Sequence, residues 1–158
     1  MRRFEKIKYE QFCSDIGSKC NYDEYKLPMR ATRLSACYDF YCLYDLVIHP
    51  GEAVKVPTGV KVLMNDDEAF LLYVRSSVGF KYNVRLTNQV GIIDSDYYSN
   101  VTNDGHMWFC LQNHGDIDFV VKKGEAFGQG MFIKYLVTDD DNASLERTYG
   151  FGSTSKER

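Results

Sequence analysis

Two carboxylates two residues apart, Asp94 and Asp96, stand between an apolar run and a tyrosine pair in Gln89-Val-Gly-Ile-Ile-Asp-Ser-Asp-Tyr-Tyr-Ser-Asn100. A carboxylate is ionised at neutral pH and can take a proton from water. A strand that delivers acid and aromatic groups to the rim of a pocket has this pattern. A buried strand ending in a wet turn has it too. Four other segments carry chemistry-bearing groups. Arg75-Ser-Ser-Val-Gly79 places a guanidinium and two hydroxyls just past an apolar run, which suits a phosphate grip or an ordinary polar turn. Arg147-Thr-Tyr-Gly-Phe-Gly-Ser-Thr-Ser-Lys156 combines glycines, hydroxyls, two cations and a phenyl ring. Converging backbone N–H groups and Arg147 suit an anion, and Phe151 suits stacking on a base. Gly124-Glu-Ala-Phe-Gly-Gln-Gly130 reads as a strand-linking turn in which Gln129 can both donate and accept. Asp39, in Ser35-Ala-Cys-Tyr-Asp-Phe40, is a lone acid among apolar and aromatic neighbours. It could hold a metal-bound water or cap a turn; Mg²⁺ needs little more from a protein, because it keeps waters and takes phosphates as ligands.

The elements that must position these groups read as short strands. Val54–Pro57 and Gly59–Leu63 alternate apolar and polar residues, and Ala69–Val74 is a continuous apolar run suited to a strand buried on both faces. Met107–Leu111, Asp118–Val121 and Met131–Val137 complete the set. The one helical candidate is Tyr9–Ile16. Aromatics make up 15% of the chain, twelve of them tyrosine, which favours strands. The expectation is an all-β fold, a compact barrel or double-sheet jelly roll. Residues 1–137 form its body, with a polar, Tyr-rich surface excursion at about 13–27. Residues 138–158 form a C-terminal arm whose composition, taken alone, is that of a disordered tail.

Composition narrows the function classes. At 158 residues one domain is the default, and a formal charge of −3 with scattered Lys and Arg gives no reason to expect direct nucleic-acid binding. No apolar run is long enough to cross a membrane, so no membrane partner is expected. Five cysteines, an odd number without a CxxC pair, read as free thiols in a reducing cytoplasm rather than a zinc site.

The five segments together, Ser35–Phe40, Arg75–Gly79, Gly91–Tyr97, Gly124–Gln129 and Arg147–Thr154, resemble in sequence and order the five motifs of the trimeric deoxyuridine triphosphatases (dUTPases). The resemblance spans about residues 28–155, and Gly-Ile-Ile-Asp-Ser-Asp-Tyr and Gly-Phe-Gly-Ser-Thr are its most specific parts. It implies a jelly-roll (β-clip) homotrimer whose sites are built from all three subunits. It implies hydrolysis of dUTP to dUMP and pyrophosphate with Mg²⁺. By position, Asp94 matches the general base and Tyr97 the ring that packs under deoxyribose. Asn88, Gly91 and Ile93 match the hairpin that reads uracil. Asp39 matches the carboxylate that steadies the Mg²⁺ water shell. Arg75, Ser76, Ser77 and Gln129 match phosphate contacts. On the arm, Arg147, Gly152, Ser153 and Thr154 match the γ-phosphate segment, and Phe151 the ring that covers uracil. The chain departs from the family pattern after Tyr97. Tyr98-Ser99-Asn100 replaces basic-Gly-Glu, and Val101–His106 lengthens the segment. Cys37, Tyr149 and Ser155 stand where glycines are usual. Two alternatives remain at this level: a dCTP deaminase relative, against which Ile-Asp-Ser-Asp-Tyr argues, and a regulatory binding protein of the same fold that docks a protein partner through residues 13–27 or 99–106.

Overall fold

The computed structural model describes residues 1–145 and Arg147. Eleven short strands and two short helices are defined among them. In chain order these are β1 (Arg3–Lys6), α1 (Tyr9–Asp15), β2 (Tyr38–Tyr41), β3 (Leu46–Ile48), β4 (Ala53–Pro57), β5 (Val60–Leu63), β6 (Glu68–Val74), α2 (Ser76–Tyr82), β7 (Val84–Leu86), β8 (Gly91–Asp94), β9 (Trp108–Asn113), β10 (Phe119–Val121) and β11 (Ala126–Lys134). Every strand pairing is antiparallel. A four-stranded sheet runs β2-β11-β6-β8, and a three-stranded sheet runs β4-β9-β7. Two ribbons, β1-β5 and β3-β10, complete the all-β fold that the short alternating runs predict. The Tyr9–Ile16 candidate is the observed α1.

Phenylalanines join the sheets. Phe40 on β2 meets Phe109 on β9 at 5.3 Å between ring centroids, and Phe109 meets Phe127 on β11 at 5.1 Å. Strand β9 shows why the period-2 pattern is informative: Phe109, Leu111 and Asn113 point inward, while the residues between them are half-exposed.

Three expectations need correction. The Gly124–Gly130 run is not a turn for most of its length, because β11 begins at Ala126 and includes both later glycines. Gly128 is needed there for space: a Cβ at that position would lie 2.5 Å from the Phe109 ring. Small residues in a strand therefore signalled a close approach rather than a break. The Ser76–Gly79 segment is not a polar turn but the start of α2, which ends on Asn83 at φ 52°. Residues 13–27 are only partly a surface excursion. Ile16, Cys20 and Tyr25 are buried, and the Tyr25 hydroxyl donates to the Gly59 carbonyl at 2.7 Å. Tyrosine is polar at one atom and apolar over the rest of its surface, so a Tyr-rich segment can pack.

Candidate active site

The sheet register places the chemistry at two ends of β6. At one end, β2 lies against β11 with Asp39 opposite Gln129, and Gln129 lies opposite Tyr73 of β6. The chain leaves β6 at Arg75 and turns into α2. Asp39, Arg75, Ser76, Ser77 and Gln129 thus converge on one open cleft of about 370 Å³, completed by Ala31, Ser35, Ala36 and Cys37. Arg75 Nε lies 3.2 Å from Asp39 Oδ1, and another guanidinium nitrogen donates to the Ala126 carbonyl at 3.0 Å. Gln129 donates to the Val74 carbonyl at 3.1 Å. These bonds lock the cleft's long side chains before any ligand arrives, which lowers the ordering cost of binding an anion.

Among the described residues, no group of three or more His, Cys, Asp or Glu could cage a metal ion. One carboxylate beside hydroxyls in an anion-sized cleft fits a Mg²⁺ ion held chiefly by waters and substrate phosphates.

Asn88 and Gly91 line a second pocket of about 500 Å³, with Lys55, Leu72, Leu86, Thr87, Trp108 and Cys110. It lies where β7 turns into β8, between the two main sheets. Trp108, Lys55 and Cys110 come from β4 and β9, outside every motif that sequence reading used. Ile93 is buried in the core, whereas Ile92 points out and is 64% exposed.

At the other end of β6, Asp94 closes β8 opposite Ala69. Its side chain is 52% exposed. A single 3-10 turn, Ser95–Tyr97, then swings the Tyr97 ring inward to 4% exposure. Burial pushes the Tyr97 phenol up from its ordinary range, so it stays protonated and donates to the His106 carbonyl at 3.1 Å. Arg147 reaches this corner. Its guanidinium ion-pairs with Asp94 and with Asp96, the latter at 2.8 Å from Nε. It also lies 5.9 Å from the centre of the Tyr97 ring. Asp96, to which the family resemblance assigns no role, is a partner of Arg147. Gly152, Ser153, Thr154 and Phe151 lie outside the described residues.

The lengthened exit after Tyr97 has a defined structure. Ser99, which stands where the family pattern has glycine, takes φ 54°, in the left-handed region that favours glycine, and its Oγ accepts from Lys61 Nζ at 3.0 Å. Gly105, at φ 76°, passes so close to the Ser99 and Tyr97 backbone that a Cβ would lie 2.7 Å from Ser99 N. Asn100, Asp104, Gly105 and His106 all face inward. Of residues 99–106, Ser99, Val101 and Thr102 remain as outer surface.

A two-layer antiparallel β protein with a polar anion cleft, a hairpin pocket and an acid–aromatic corner defines the class. Comparison with known proteins gives the family. The dUTPase family model matches residues 23–155. The chain is 43% identical over 130 residues to a deoxyuridine 5'-triphosphate nucleotidohydrolase of Lactococcus lactis subsp. lactis (strain IL1403), covering 81% of this chain and 87% of the relative. It superposes on the dUTPase crystal structure from Streptococcus mutans with a TM-score of 0.69 at 36% identity, covering 86% of this chain and 98% of that one. It shares the fold, at 15% identity and a TM-score of 0.65, with a mutant dUTPase of phage phi11 of S. aureus. That structure describes the coordination of a structural Mg(II) ion, and the match covers 92% of this chain and 97% of the phage chain. The chain belongs to the dUTPase family.

Proposed function

We propose that this chain hydrolyses dUTP to dUMP and pyrophosphate, keeping uracil out of DNA and supplying dUMP for dTMP synthesis. The observation that carries the reading is the corner itself: an exposed carboxylate, Asp94, one 3-10 turn from a buried ring, Tyr97. Asp94 takes a proton from the water that attacks the α-phosphorus. A P–O bond to water forms, the bond to the bridging oxygen breaks, and pyrophosphate leaves with that electron pair. Tyr97 packs under the deoxyribose, and the hairpin of Asn88, Gly91 and Ile93 reads uracil. Arg75, Ser76, Ser77 and Gln129 hold the phosphate chain. Arg147, Gly152, Ser153 and Thr154 of the arm at 138–158 take the γ-phosphate, and Phe151 covers the base. Mg²⁺, held at Asp39 through water, would supply charge stabilisation of the triphosphate and the leaving group.

The same register supports a shared site. Asp94 pairs with Ala69, whereas Arg75 lies six residues further along the β6 line, a separation of about 20 Å at roughly 3.3 Å per strand residue. Asp39, three strands across and four residues along, is about as far from Asp94. A nucleotide α-phosphate cannot touch both ends at once. In our reading, one copy supplies the cleft and another the corner, which a closed homotrimer provides. The five free thiols support placement in a reducing cytoplasm; among the described residues no helix is long and apolar enough to cross a membrane.

The test is a panel of dUTP, dTTP, UTP and dCTP with Mg²⁺, read by pyrophosphate release. Turnover of dUTP alone is expected. Ammonia release from dCTP, or no turnover of dUTP, would overturn the reading.

A further inference from the structure

The Tyr97 ring is held by a loop that the family pattern lacks, and that loop is fastened from the far end of the chain. Asn103 is at its centre. Its Nδ2 donates to the Tyr97 hydroxyl at 2.6 Å. Its Oδ1 accepts from the Asn100 amide at 2.7 Å and from the Gly105 N–H at 3.1 Å. Two donors on the oxygen fix the amide's orientation and leave the nitrogen facing the phenol. The phenol therefore accepts from Asn103 and donates to His106, and its height and tilt are set by two partners three residues apart.

Neither partner is loose. The buried His106 ring accepts the Gly59 N–H at Nε2, at 2.9 Å, and shares a proton with Asp15 through Nδ1, at 2.6 Å. With Nε2 acting as acceptor, the proton lies on Nδ1 and the ring is neutral. Burial holds the imidazole below its ordinary range, against the pull of Asp15. The neighbouring Asp104 accepts the Lys8 N–H at 2.7 Å. Asp15 of α1 and Lys8 just before that helix thus brace the loop that braces the ring.

We infer that Asn103 is a positioning residue for sugar selection, fixing the Tyr97 ring so that a 2′-hydroxyl finds no room. The inference rests on the assignment of Tyr97 to the deoxyribose made above. Exclusion of one hydroxyl is a matter of fractions of an ångström, so it depends on the rigidity of the wall as much as on the wall's presence. A loop that merely stabilised the fold would affect dUTP and UTP alike.

The experiment measures kcat and KM for dUTP and UTP in the full chain with Mg²⁺, for the unaltered protein, Asn103→Ala, Tyr97→Phe and the double variant. Loss of one hydrogen bond to the phenol is expected to lower the dUTP-over-UTP preference about tenfold. In Asn103→Ala the change should come mainly from improved kcat/KM for UTP, with kcat for dUTP within about threefold of the unaltered protein. The double variant should lose little more preference than Tyr97→Phe alone, because removing the hydroxyl already removes the contact with Asn103. Asn103→Asp keeps an oxygen for Asn100 and Gly105 and places a second oxygen that accepts from the Tyr97 hydroxyl, so it is the rescue variant and should recover most of the preference that Asn103→Ala loses. An unaltered preference in Asn103→Ala, an Asn103→Asp that recovers none of the loss, or strict additivity in the double variant overturns the inference. An unmodified protein that does not prefer dUTP overturns the functional reading itself.

Discussion

Replacing Lys61 with methionine removes the cation from a pair sealed inside the loop that follows Tyr97. The Lys61 side chain is 7% exposed and that of Asp104 is 6% exposed, and Nζ lies 3.0 Å from both carboxylate oxygens. At that distance the gross attraction is about 5.5 kcal/mol for an effective dielectric of ~20. Methionine keeps the apolar stem but leaves a carboxylate indoors, with the Lys8 N–H as its nearest donor. Lys8 Nζ, at 3.9 Å and largely in solvent, replaces little of the lost charge. The expected loss is therefore about 3–5 kcal/mol, the range for breaking a buried pair, not the ~0–1 kcal/mol of a surface pair. Adding Asp104→Asn removes the orphaned charge while keeping the acceptor for Lys8 and a residue type that tolerates φ 56°. The double variant should recover about 2–3 kcal/mol of the loss. Urea unfolding followed by circular dichroism, at fixed subunit concentration and two salt levels, measures this. Salt should change the Lys61→Met penalty little, since a buried pair is weakly screened. A penalty below about 1 kcal/mol, or a double variant no better than the single one, would refute the claim that the pair is buried and holds the loop.

Three further outcomes are expected. Asp94→Asn should cut dUTP turnover by about 10²–10⁴-fold while leaving folding and oligomeric state unchanged; near-normal pyrophosphate release would remove Asp94 from the role of base. Glu68 is held at about 2 by the hydrogen-bonded Arg2 guanidinium, below its ordinary 4.5. A depressed carboxyl stabilises the fold above about pH 4.5, and that contribution fades as pH falls toward about 2; Arg2→Ala should flatten this part of an acid-unfolding curve, and an unchanged curve would count against the linkage. Gly128→Ala should cost about 1–3 kcal/mol by driving a methyl group into Phe109; thermal melting that shows no loss would mean the ring has somewhere to go.

How far the sequence could be read depended on whether a contact was local. Strands such as Ala69–Val74 announced themselves, because periodicity is written in neighbouring residues. The motif residues lay in order along the chain, so Asp39, Arg75 and Gln129 were legible as candidates before their shared cleft was visible. Strand β1 was not legible, since Arg3–Lys6 is charged and becomes a strand only by pairing with β5. Asn103 and His106 were equally silent. Their partners, Tyr97 and Asp15, are set by how the lengthened loop folds back, and no spacing rule encodes that. The glycines of β11 misled for a related reason: what they make room for, Phe109 at Gly128 and Phe70 at Gly130, is on other strands.

The N-terminal brace also has a consequence for the order of folding. Glu5 bonds the Tyr98 hydroxyl across 93 positions, and Asp15 bonds His106 across 91. A ribosome adding about 5–20 residues per second delivers the second half of each contact some 5–20 seconds after the first. Through that interval β1 and α1 wait without the loop they will hold. The segment made first thus completes its contacts among the last. The sugar selection proposed for Tyr97 would then arise late, at the closing of a long-range contact, after much of the sheet framework has been synthesised.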